Sequence, residues 1–381
     1  MKVRAAVLRQ MKLPQPYADS RPFTIEEVDL DPPGDQELLI RIHAAGLCHS
    51  DLSTVNGDRP RSMPMILGHE AAGEVVECGA QVTDLAPGDH VVLIFAPRCG
   101  RCAPCVEGRP GLCEPGQQAN AAGTLLGGQM RLQQNGQRIY HHIGVSAFAE
   151  YAVVNRGSAV KVPAHLPYEQ AALFGCAVLT GVGAVVNTAK VPPGSRVAVI
   201  GLGGVGLNAV LGAQLAGASD IIAIDVHEDK LALARTLGAT HTYHAASPTL
   251  IADLKDQTDG GVDFAFEMAG ATAALETAYR ITRRGGTTVT ASLPHPDSRW
   301  PLAPTNLVAE ERTLKGSYIG SCVASRDVPR FIRLFEQGRL PVTALLSERL
   351  TLDRINEGFD RLAGGHTVRQ IIAMTATSPK R

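Results

Sequence analysis

The chain has 381 residues, of which 19% are charged, and its formal net charge at pH 7 is −1. This length is sufficient for about two domains. The near-zero charge excludes the electrostatic footprint of a protein that binds nucleic acid or an anionic membrane surface. No apolar run approaches the roughly 20 residues that span a bilayer, and residues 1–8 resemble a first strand more than a signal peptide. We therefore expect a cytoplasmic protein that binds neither nucleic acid nor membrane.

The first half of the chain is rich in short β-type runs that Gly and Pro interrupt. Examples are residues 37–43, 72–78, 90–95 and 151–154. Runs of this length, without helices alternating between them, are typical of a compact antiparallel β domain with loops.

Four of the eight cysteines lie in one short Gly/Pro-rich loop, at Cys99, Cys102, Cys105 and Cys113. Short C-x2-C steps let a tight turn direct several thiolates at one point, and four thiolates form the closed tetrahedral site that structural zinc prefers. The alternative is a disulfide cluster, which the lack of a secretory signal disfavours. Because a closed site leaves no ligand position for a substrate, we expect the chemistry elsewhere.

The pattern changes near residues 192–194, beyond which strands alternate with helices. We predict strands at 196–200, 221–225, 262–268 and 287–291, and helices at 207–216, 228–237, 271–284 and 327–337. Strands that alternate with helices of this length indicate βαβ units and a parallel, doubly wound sheet. The remaining tail lacks this alternation, and we expect it to pack back on the first domain.

A glycine-rich turn follows the first of these strands directly. Gly201, Gly203 and Gly206 form a G-x-G-x-x-G pattern between a strand and a helix, and Asp225 ends the next strand. That spacing is close to the roughly 20 residues expected between such a turn and a carboxylate that binds the adenosine ribose. The pattern favours NAD over NADP, since a carboxylate repels a 2′-phosphate. The alternative is a related fold that binds another nucleotide.

Three further segments contain candidate metal ligands, at residues 46–51, 68–73 and 175–181. Considered singly, each Cys or His in them is better explained as a buried thiol or a hydrogen-bonded loop residue than as a ligand. Together with the four-cysteine loop and the glycine turn, however, they closely resemble the zinc-dependent medium-chain alcohol dehydrogenases, in that family's order. The resemblance covers nearly the whole chain and extends to residues 261–264 and 355–360.

The resemblance implies an α/β architecture of two domains. A GroES-like, β-rich catalytic domain would comprise residues 1–177 and 319–381, with a structural zinc lobe at 95–115. An NAD-binding Rossmann domain would comprise residues 178–318 and contain the doubly wound parallel sheet. It also implies two zinc ions per chain. A homodimer is favoured over a tetramer, because residues 116–140 resemble the corresponding segment of the dimeric relatives.

The family pattern implies that Cys48, His69 and Cys176 hold a catalytic zinc with an open fourth position. This ligand set belongs to the alcohol dehydrogenases themselves and is taken from the family. Asp51 would orient the imidazole of His69, and Glu70 would lie behind the metal. Ser50 would accept the alcohol proton and pass it on through the cofactor ribose.

The resemblance also implies a set of coenzyme-binding residues. They are Gly201, Gly203, Gly204, Val205, Gly206, Asp225 and Lys230 at the adenosine and pyrophosphate, His49 and Arg369 near the pyrophosphate, and Thr180 beside the nicotinamide. Lys230 would donate to the ribose that Asp225 binds. The alternative for Lys230 is a solvated lysine on a helix.

The substrate pocket is predicted from fewer residues. Phe95 precedes the zinc lobe and is expected to line the pocket, which suits an apolar or aromatic alcohol. Arg59 and Arg61 lie in a loop that, if it reaches the pocket mouth, would favour a distal carboxylate on the substrate, because arginine pairs bidentately with carboxylates. Otherwise both are surface residues without substrate contact.

We therefore expect an NAD-dependent enzyme that interconverts a small-molecule alcohol and the matching aldehyde or ketone. The alternatives are a polyol or S-hydroxymethylglutathione dehydrogenase, and a non-catalytic, zinc-stabilised nucleotide-binding protein. Arg59, Arg61 and Gln117 replace the charges that would hold glutathione, and Ser53 replaces the histidine that ends the proton relay in some relatives. The remaining histidines and cysteines that fit no role are predicted to be structural: His43, His141, His142, Cys78 and Cys322.

Overall fold

The structure is a computed structural model that describes residues 1–365 and 367–374. The chain divides into two compact units. The first unit contains Met1–Cys176, Val323–Ile332 and the described residues from Val342 onward, and the second contains Ala177–Cys322 and Arg333–Pro341.

The strands are numbered in chain order through the described residues. They are β1 (Lys2–Leu8), β2 (Phe23–Leu30), β3 (Glu37–Gly46), β4 (Met65–Ile66), β5 (Glu70–Cys78), β6 (His90–Leu93), β7 (Leu132–Gln134), β8 (Gln137–His141), β9 (Tyr151–Asn155), β10 (Ala159–Lys161), β11 (Arg196–Ile200), β12 (Asp220–Asp225), β13 (His241–His244), β14 (Val262–Glu267), β15 (Thr282–Thr290), β16 (Thr313–Gly316), β17 (Leu346–Leu350) and β18 (Arg369–Ala373).

The α-helices are numbered in the same way. They are α1 (Tyr17–Ser20), α2 (His49–Val55), α3 (Ala103–Val106), α4 (Glu114–Ala122), α5 (Tyr168–Ala172), α6 (Ala177–Gly183), α7 (Gly204–Ala216), α8 (Glu228–Thr236), α9 (Leu250–Gln257), α10 (Thr272–Ile281), α11 (Pro304–Ala309), α12 (Ala324–Glu336) and α13 (Ile355–Ala363).

The first unit is built on a closed barrel and a second sheet. The barrel has the strand order β1-β2-β7-β8-β4, and the sheet has the order β10-β6-β5-β3-β18-β17, with β9 also paired to β3. The central strand β3 is almost entirely buried, and its apolar side chains contribute to the main core of the unit, with Phe148 and Phe359 among the residues they join. A single sheet therefore joins the start of the chain to its tail through the antiparallel pair β18–β3.

The second unit is a parallel six-stranded sheet in the order β13-β12-β11-β14-β15-β16. The central strand β11 carries the run Val-Ala-Val-Ile with every side chain buried, as expected for a strand covered on both faces. Helix α7 follows directly and ends at Gly217, whose φ of +77° forms a left-handed cap. The predicted α/β fold, with a β-rich part and a parallel doubly wound sheet, is confirmed.

One predicted boundary in this sheet is wrong. The sequence predicts a helix to residue 284 and a strand from 287, whereas α10 ends at Ile281 and β15 begins at Thr282. Thr282 pairs with Val262 of β14, and its hydroxyl donates to the carbonyl of Ala278. Pairing with a neighbouring strand therefore overrides the helical pattern of the local sequence.

No single helix in the described ranges is long and apolar enough to cross a membrane. Within the described residues, one bent pair of helices, Tyr168–Gly175 and Ala177–Ala189, reaches the required length and composition when the two are taken together. Buried core helices also meet this criterion, so the pair is weak evidence for a membrane span.

Candidate functional site

Three buried side chains from separate segments converge in the first unit. Cys48 caps the start of α2, His69 immediately precedes β5, and Cys176 follows the turn that ends α5. Their ligand atoms, two thiol sulfurs and one imidazole nitrogen, all lie within 4.8 Å of one another. The structure thus brings together the three residues that the family pattern assigns to a catalytic metal.

Asp51 fixes the orientation of His69. Its carboxylate is fully buried, and Oδ1 lies 3.0 Å from Nδ1 of His69 and accepts from the amide of Gly68 at 3.2 Å. The other oxygen, Oδ2, accepts from the amide of Cys48 at 3.3 Å. An Nδ1–H that donates to a carboxylate leaves Nε2 unprotonated and available as a ligand. Burial by itself would lower the pKa of His69. The negative charge of Asp51 acts in the opposite direction, and the pKa of His69 lies well above its usual range.

The two thiols of the cluster shift each other's pKa in opposite directions. A hydrogen bond from Cys176 lowers the pKa of Cys48 well below its usual range, and the same contact raises the pKa of Cys176. The cluster therefore offers two thiol sulfurs and one oriented imidazole. Zinc prefers such a donor set, and three protein ligands leave the open position that catalytic sites keep. These residues fit a zinc ion.

A buried ion pair lies beside the metal ligands. Nη1 of Arg369 is 3.2 Å from Oε2 of Glu70 and donates to the carbonyl of Leu47 at 3.3 Å. Burial raises the pKa of Glu70 to about 7 despite the nearby guanidinium. The position of Glu70 agrees with the family pattern. The predicted contact of Arg369 with a pyrophosphate stays a prediction, since its guanidinium here lies against Glu70.

The surroundings of His69 include an aromatic ring and a second imidazole. The ring of Phe95 meets His69 edge-on at a centroid distance of 5.4 Å, and the ring of His142 lies at 5.7 Å. The guanidinium of Arg61 donates to the backbone carbonyl of Asn120 at 3.0 Å. The side-chain amide of Asn120 donates to the backbone carbonyl of Phe95, also at 3.0 Å. The sequence analysis assigned His142 no role at this site, because a histidine beside another histidine before a Gly/Ser turn carries no distinguishing signal.

The remaining predicted residues of α2 and its following loop are more open. His49 is exposed, and Ser50 is half-buried in the first turn of the helix. Arg59 is half-buried, and its amide donates to the carbonyl of Ser53, which places it just after the helix.

The four-cysteine cluster forms as predicted. The sulfurs of Cys99, Cys102, Cys105 and Cys113 all lie within 4.8 Å of one another, and each is a free thiol. The amides of Cys99 and Gly116 donate to the sulfur of Cys113 at 3.2 and 3.4 Å. Burial raises the pKa of Cys99, but hydrogen bonds from the amides of Arg101 and Cys102 lower it to about 6. A cluster of free thiols with amide donors fits structural zinc and not the disulfide alternative.

The glycine turn of the second unit has the shape that a dinucleotide phosphate requires. Gly201 has a φ of +88°, and a Cβ there would lie 2.7 Å from Ala269. A Cβ on Gly206 would lie 1.8 Å from the carbonyl oxygen of Gly201, whereas one on Gly203 would meet nothing within 4 Å. The first and third glycines therefore permit the turn and the close packing of α7, and the second leaves the backbone open for a ligand.

Asp225 is buried at the end of β12 and holds this turn in place. Its Oδ2 accepts from the amide of Leu202 at 2.6 Å, and its Oδ1 accepts from the amide of His227 at 3.0 Å. Lys230 is half-buried on α8, and Thr180 is buried on α6. Gly204 and Val205 occupy the first turn of α7, at the end where helix amides are free to bind an anion.

Comparison with known proteins matches both units. Residues 34–164 match the Alcohol dehydrogenase GroES-like domain, and residues 204–337 match the Zinc-binding dehydrogenase family. An alcohol dehydrogenase zinc-binding domain protein from Burkholderia ambifaria is 34% identical with a TM-score of 0.92, over 99% of this chain and 100% of that chain.

Two further solved structures extend the comparison. Benzyl alcohol dehydrogenase from Acinetobacter calcoaceticus is 32% identical with a TM-score of 0.92, over 98% of this chain and 100% of that chain. A protein assigned as a zinc-binding dehydrogenase from Sinorhizobium meliloti 1021, bound to NADP, is 27% identical with a TM-score of 0.79, over 98% and 99% of the two chains. With its thiol–imidazole centre, its four-cysteine cluster and its Rossmann sheet, this chain belongs to the zinc-containing medium-chain alcohol dehydrogenase family.

Proposed function

We propose that this protein is a zinc-dependent alcohol dehydrogenase that uses NAD. An alcohol and NAD⁺ would give the aldehyde or ketone, NADH and one proton. The observation that carries the proposal is the buried cluster of Cys48, His69 and Cys176, which offers three ligands, with no fourth among the residues that the structure describes. When bound, zinc would lower the pKa of an alcohol, and NAD would accept the hydride.

The chain's own residues hold the ligands and move the proton. Asp51 keeps Nε2 of His69 available by accepting from Nδ1, and the two thiols supply negative charge. Ser50, half-buried in the first turn of α2, is the residue we propose to accept the alcohol proton and pass it toward solvent. Since Ser53 replaces a histidine found in some relatives, water would end this relay.

Phe95 supports an apolar or aromatic substrate. Its ring meets the ring of His69 at 5.4 Å and so presents an apolar surface next to the metal ligands. The 32% identity with a benzyl alcohol dehydrogenase is consistent with an aromatic alcohol. Arg59 remains a candidate at the pocket mouth, where a guanidinium would favour a substrate with a distal carboxylate.

The coenzyme preference rests on Asp225. Each carboxylate oxygen accepts one backbone amide and retains a further lone pair for a ribose hydroxyl. A carboxylate at this position would repel the 2′-phosphate of NADP. Because one relative is bound to NADP, the preference has to be measured for this chain.

The organisation of the molecule follows the same family. We propose a catalytic domain of residues 1–177 and 319–381 with a structural zinc lobe at 95–115, an NAD-binding domain of 178–318, and assembly as a homodimer. Zinc at Cys99, Cys102, Cys105 and Cys113 would stabilise the fold without taking part in turnover.

The test is an alcohol panel scored for NADH and NADPH formation, together with the zinc content of the protein. We expect two zinc ions per chain and oxidation of benzyl alcohol with NAD⁺. Cys176→Ser should retain the fold and abolish turnover, with Cys78→Ser as the matched control. Each neutral alcohol is paired with its ω-carboxylate analogue, with and without glutathione. Full activity of Cys176→Ser, or activity only in the presence of glutathione, would contradict the proposal.

A further inference from the structure

We propose that His142 is a positioning residue for the candidate catalytic metal, because its Nδ1–H shares with His69 the carboxylate oxygen of Asp51 that orients the ligand. The inference rests on the proposed function, in which Cys48, His69 and Cys176 hold zinc. His142 does not itself contact the reacting atoms in this proposal.

The geometry centres on a single carboxylate oxygen. Oδ1 of Asp51 lies 3.0 Å from Nδ1 of His69 and 3.3 Å from Nδ1 of His142. The three side chains are almost completely buried, with exposed fractions of 0% for Asp51, 1% for His69 and 3% for His142. The two imidazole rings meet at 71°. Asp51 is therefore positioned between two imidazoles in a region that excludes water.

The proton on His142 can be assigned from this contact. Its Nδ1 is buried and makes no aligned hydrogen bond within the described part of the chain. If that nitrogen carried a lone pair, it would face a carboxylate oxygen at 3.3 Å and be repelled. With the proton on Nδ1 the same contact is attractive, and catalytic hydrogen bonds that are poorly aligned in an empty site commonly tighten when the site is filled. The favoured tautomer thus directs an N–H at Asp51.

The backbone around His142 is specified rather than incidental. Ile143, Gly144 and Ser146 have φ values of +39°, +73° and +59°. Ile143 is β-branched, for which a positive φ is an outlier that the surrounding structure must hold in place. The hydroxyl oxygen of Ser146 accepts from the amide of His142 at 2.8 Å. Positive φ values at non-glycine residues carry a conformational cost. That cost is expected if the imidazole of His142, which the turn holds against the carboxylate of Asp51, has a function.

A packing role alone does not explain the residue type. An apolar side chain would fill the position without the penalty of a buried polar nitrogen that makes no aligned hydrogen bond. A second metal ion is the competing explanation, since Asp51, His69 and His142 also place their ligand atoms within 4.8 Å of one another. That ion would displace Asp51 from Nδ1 of His69, so the two explanations predict different metal contents.

The test compares three substitutions of His142 in the zinc-loaded, full-length protein. Asn places an amide N–H close to the position of Nδ1, Gln places one close to Nε2, and Phe supplies neither. The measurements are the rate of zinc loss to a chelator, the visible absorption of the cobalt(II)-substituted protein, and kcat and KM for benzyl alcohol. Circular dichroism and thermal unfolding establish that each variant folds.

We expect His142→Asn to retain wild-type zinc release and cobalt spectrum. His142→Gln and His142→Phe should lose zinc about 10-fold faster, the low end of what loss of an outer partner costs, with a lower kcat and a similar KM. Three results would overturn the inference. The first is equal zinc release in all variants, and the second is rescue by Gln instead of Asn. The third is a third metal ion in the wild type that His142→Phe removes. If Phe does not fold, Asn against Gln still decides. A wild type that binds two zinc ions but oxidises no alcohol would refute the proposed function alone.

Discussion

Replacement of Asp225 by serine should do more than change the coenzyme preference. The carboxylate accepts from the amide of Leu202 in the glycine turn and from the amide of His227 after β12. Serine is too short to reach either donor as the carboxylate does, so both amides lose a charged acceptor. A role confined to the ribose would leave the protein's stability unchanged, whereas this arrangement predicts a loss of stability as well.

The size of the effect follows from the burial of Asp225, whose exposed fraction is 8%. A hydrogen bond to a charged group contributes about 1.5–3 kcal/mol. Two such bonds correspond to about 3–6 kcal/mol, and because water can enter the space that serine frees and accept from the two amides, we expect a net cost of about 2 kcal/mol for the pair. A change of 1 kcal/mol shifts the melting temperature of a domain of 150–250 residues by about 2–4 °C, so Asp225→Ser should melt several degrees below the wild type.

The assay combines thermal unfolding without coenzyme and titration with NAD⁺ and NADP⁺. Asp225→Ser should bind NAD⁺ at least 10-fold more weakly, while NADP⁺ gains from the loss of repulsion but is still limited by a disordered turn. Lys230→Ala is the matched control, since it removes a nearby ribose candidate without touching the turn. An unchanged melting temperature, together with a clean switch to NADP⁺, would refute the role of Asp225 in holding Leu202.

Two further predictions concern the other sites. Cys102→Ser should remove one zinc ion per chain and lower the melting temperature by several degrees, because a closed site contributes folding free energy directly; metal analysis and calorimetry check this against Cys78→Ser, and an unchanged zinc content would contradict it. Gly203→Ala should fold normally, since its Cβ would meet only open space, but it should bind NAD⁺ poorly, because that space is where the ligand is expected. Gly201→Ala should instead unfold at a lower temperature, because the φ of Gly201 is +88° and its Cβ would lie 2.7 Å from Ala269. Equal melting temperatures for the two glycine variants would count against this assignment.

Local sequence was sufficient where a feature is built from neighbouring residues. The four cysteines lie within one loop, and the glycine turn lies between β11 and α7, so spacing alone predicts each of them. The four inner strands of the parallel sheet are predicted for the same reason, because runs such as β11 are apolar and buried on both faces.

Features that depend on distant partners could not be predicted in this way. Strands β13 and β16 are short and mostly not buried, and they lie at the two edges of the parallel sheet, so their sequences carry little hydrophobic signal. The metal ligands Cys48, His69 and Cys176 come from separate segments, and only the family resemblance joined them. His142 carries no motif at all, and its position against Asp51 depends on the turn that follows it.

The charges buried around the candidate metal centre explain why these residues need a divalent cation. Two thiolates, Asp51 and Glu70 would carry four negative charges against the single positive charge of Arg369. Without a metal the excess is met by protons: the pKa values of Cys176 and His69 are raised, and that of Glu70 is raised to about 7. A divalent ion leaves one negative charge, which protonation of Glu70 can remove. Since protons and metal neutralise the same groups, zinc binding must release protons and weaken as the pH falls.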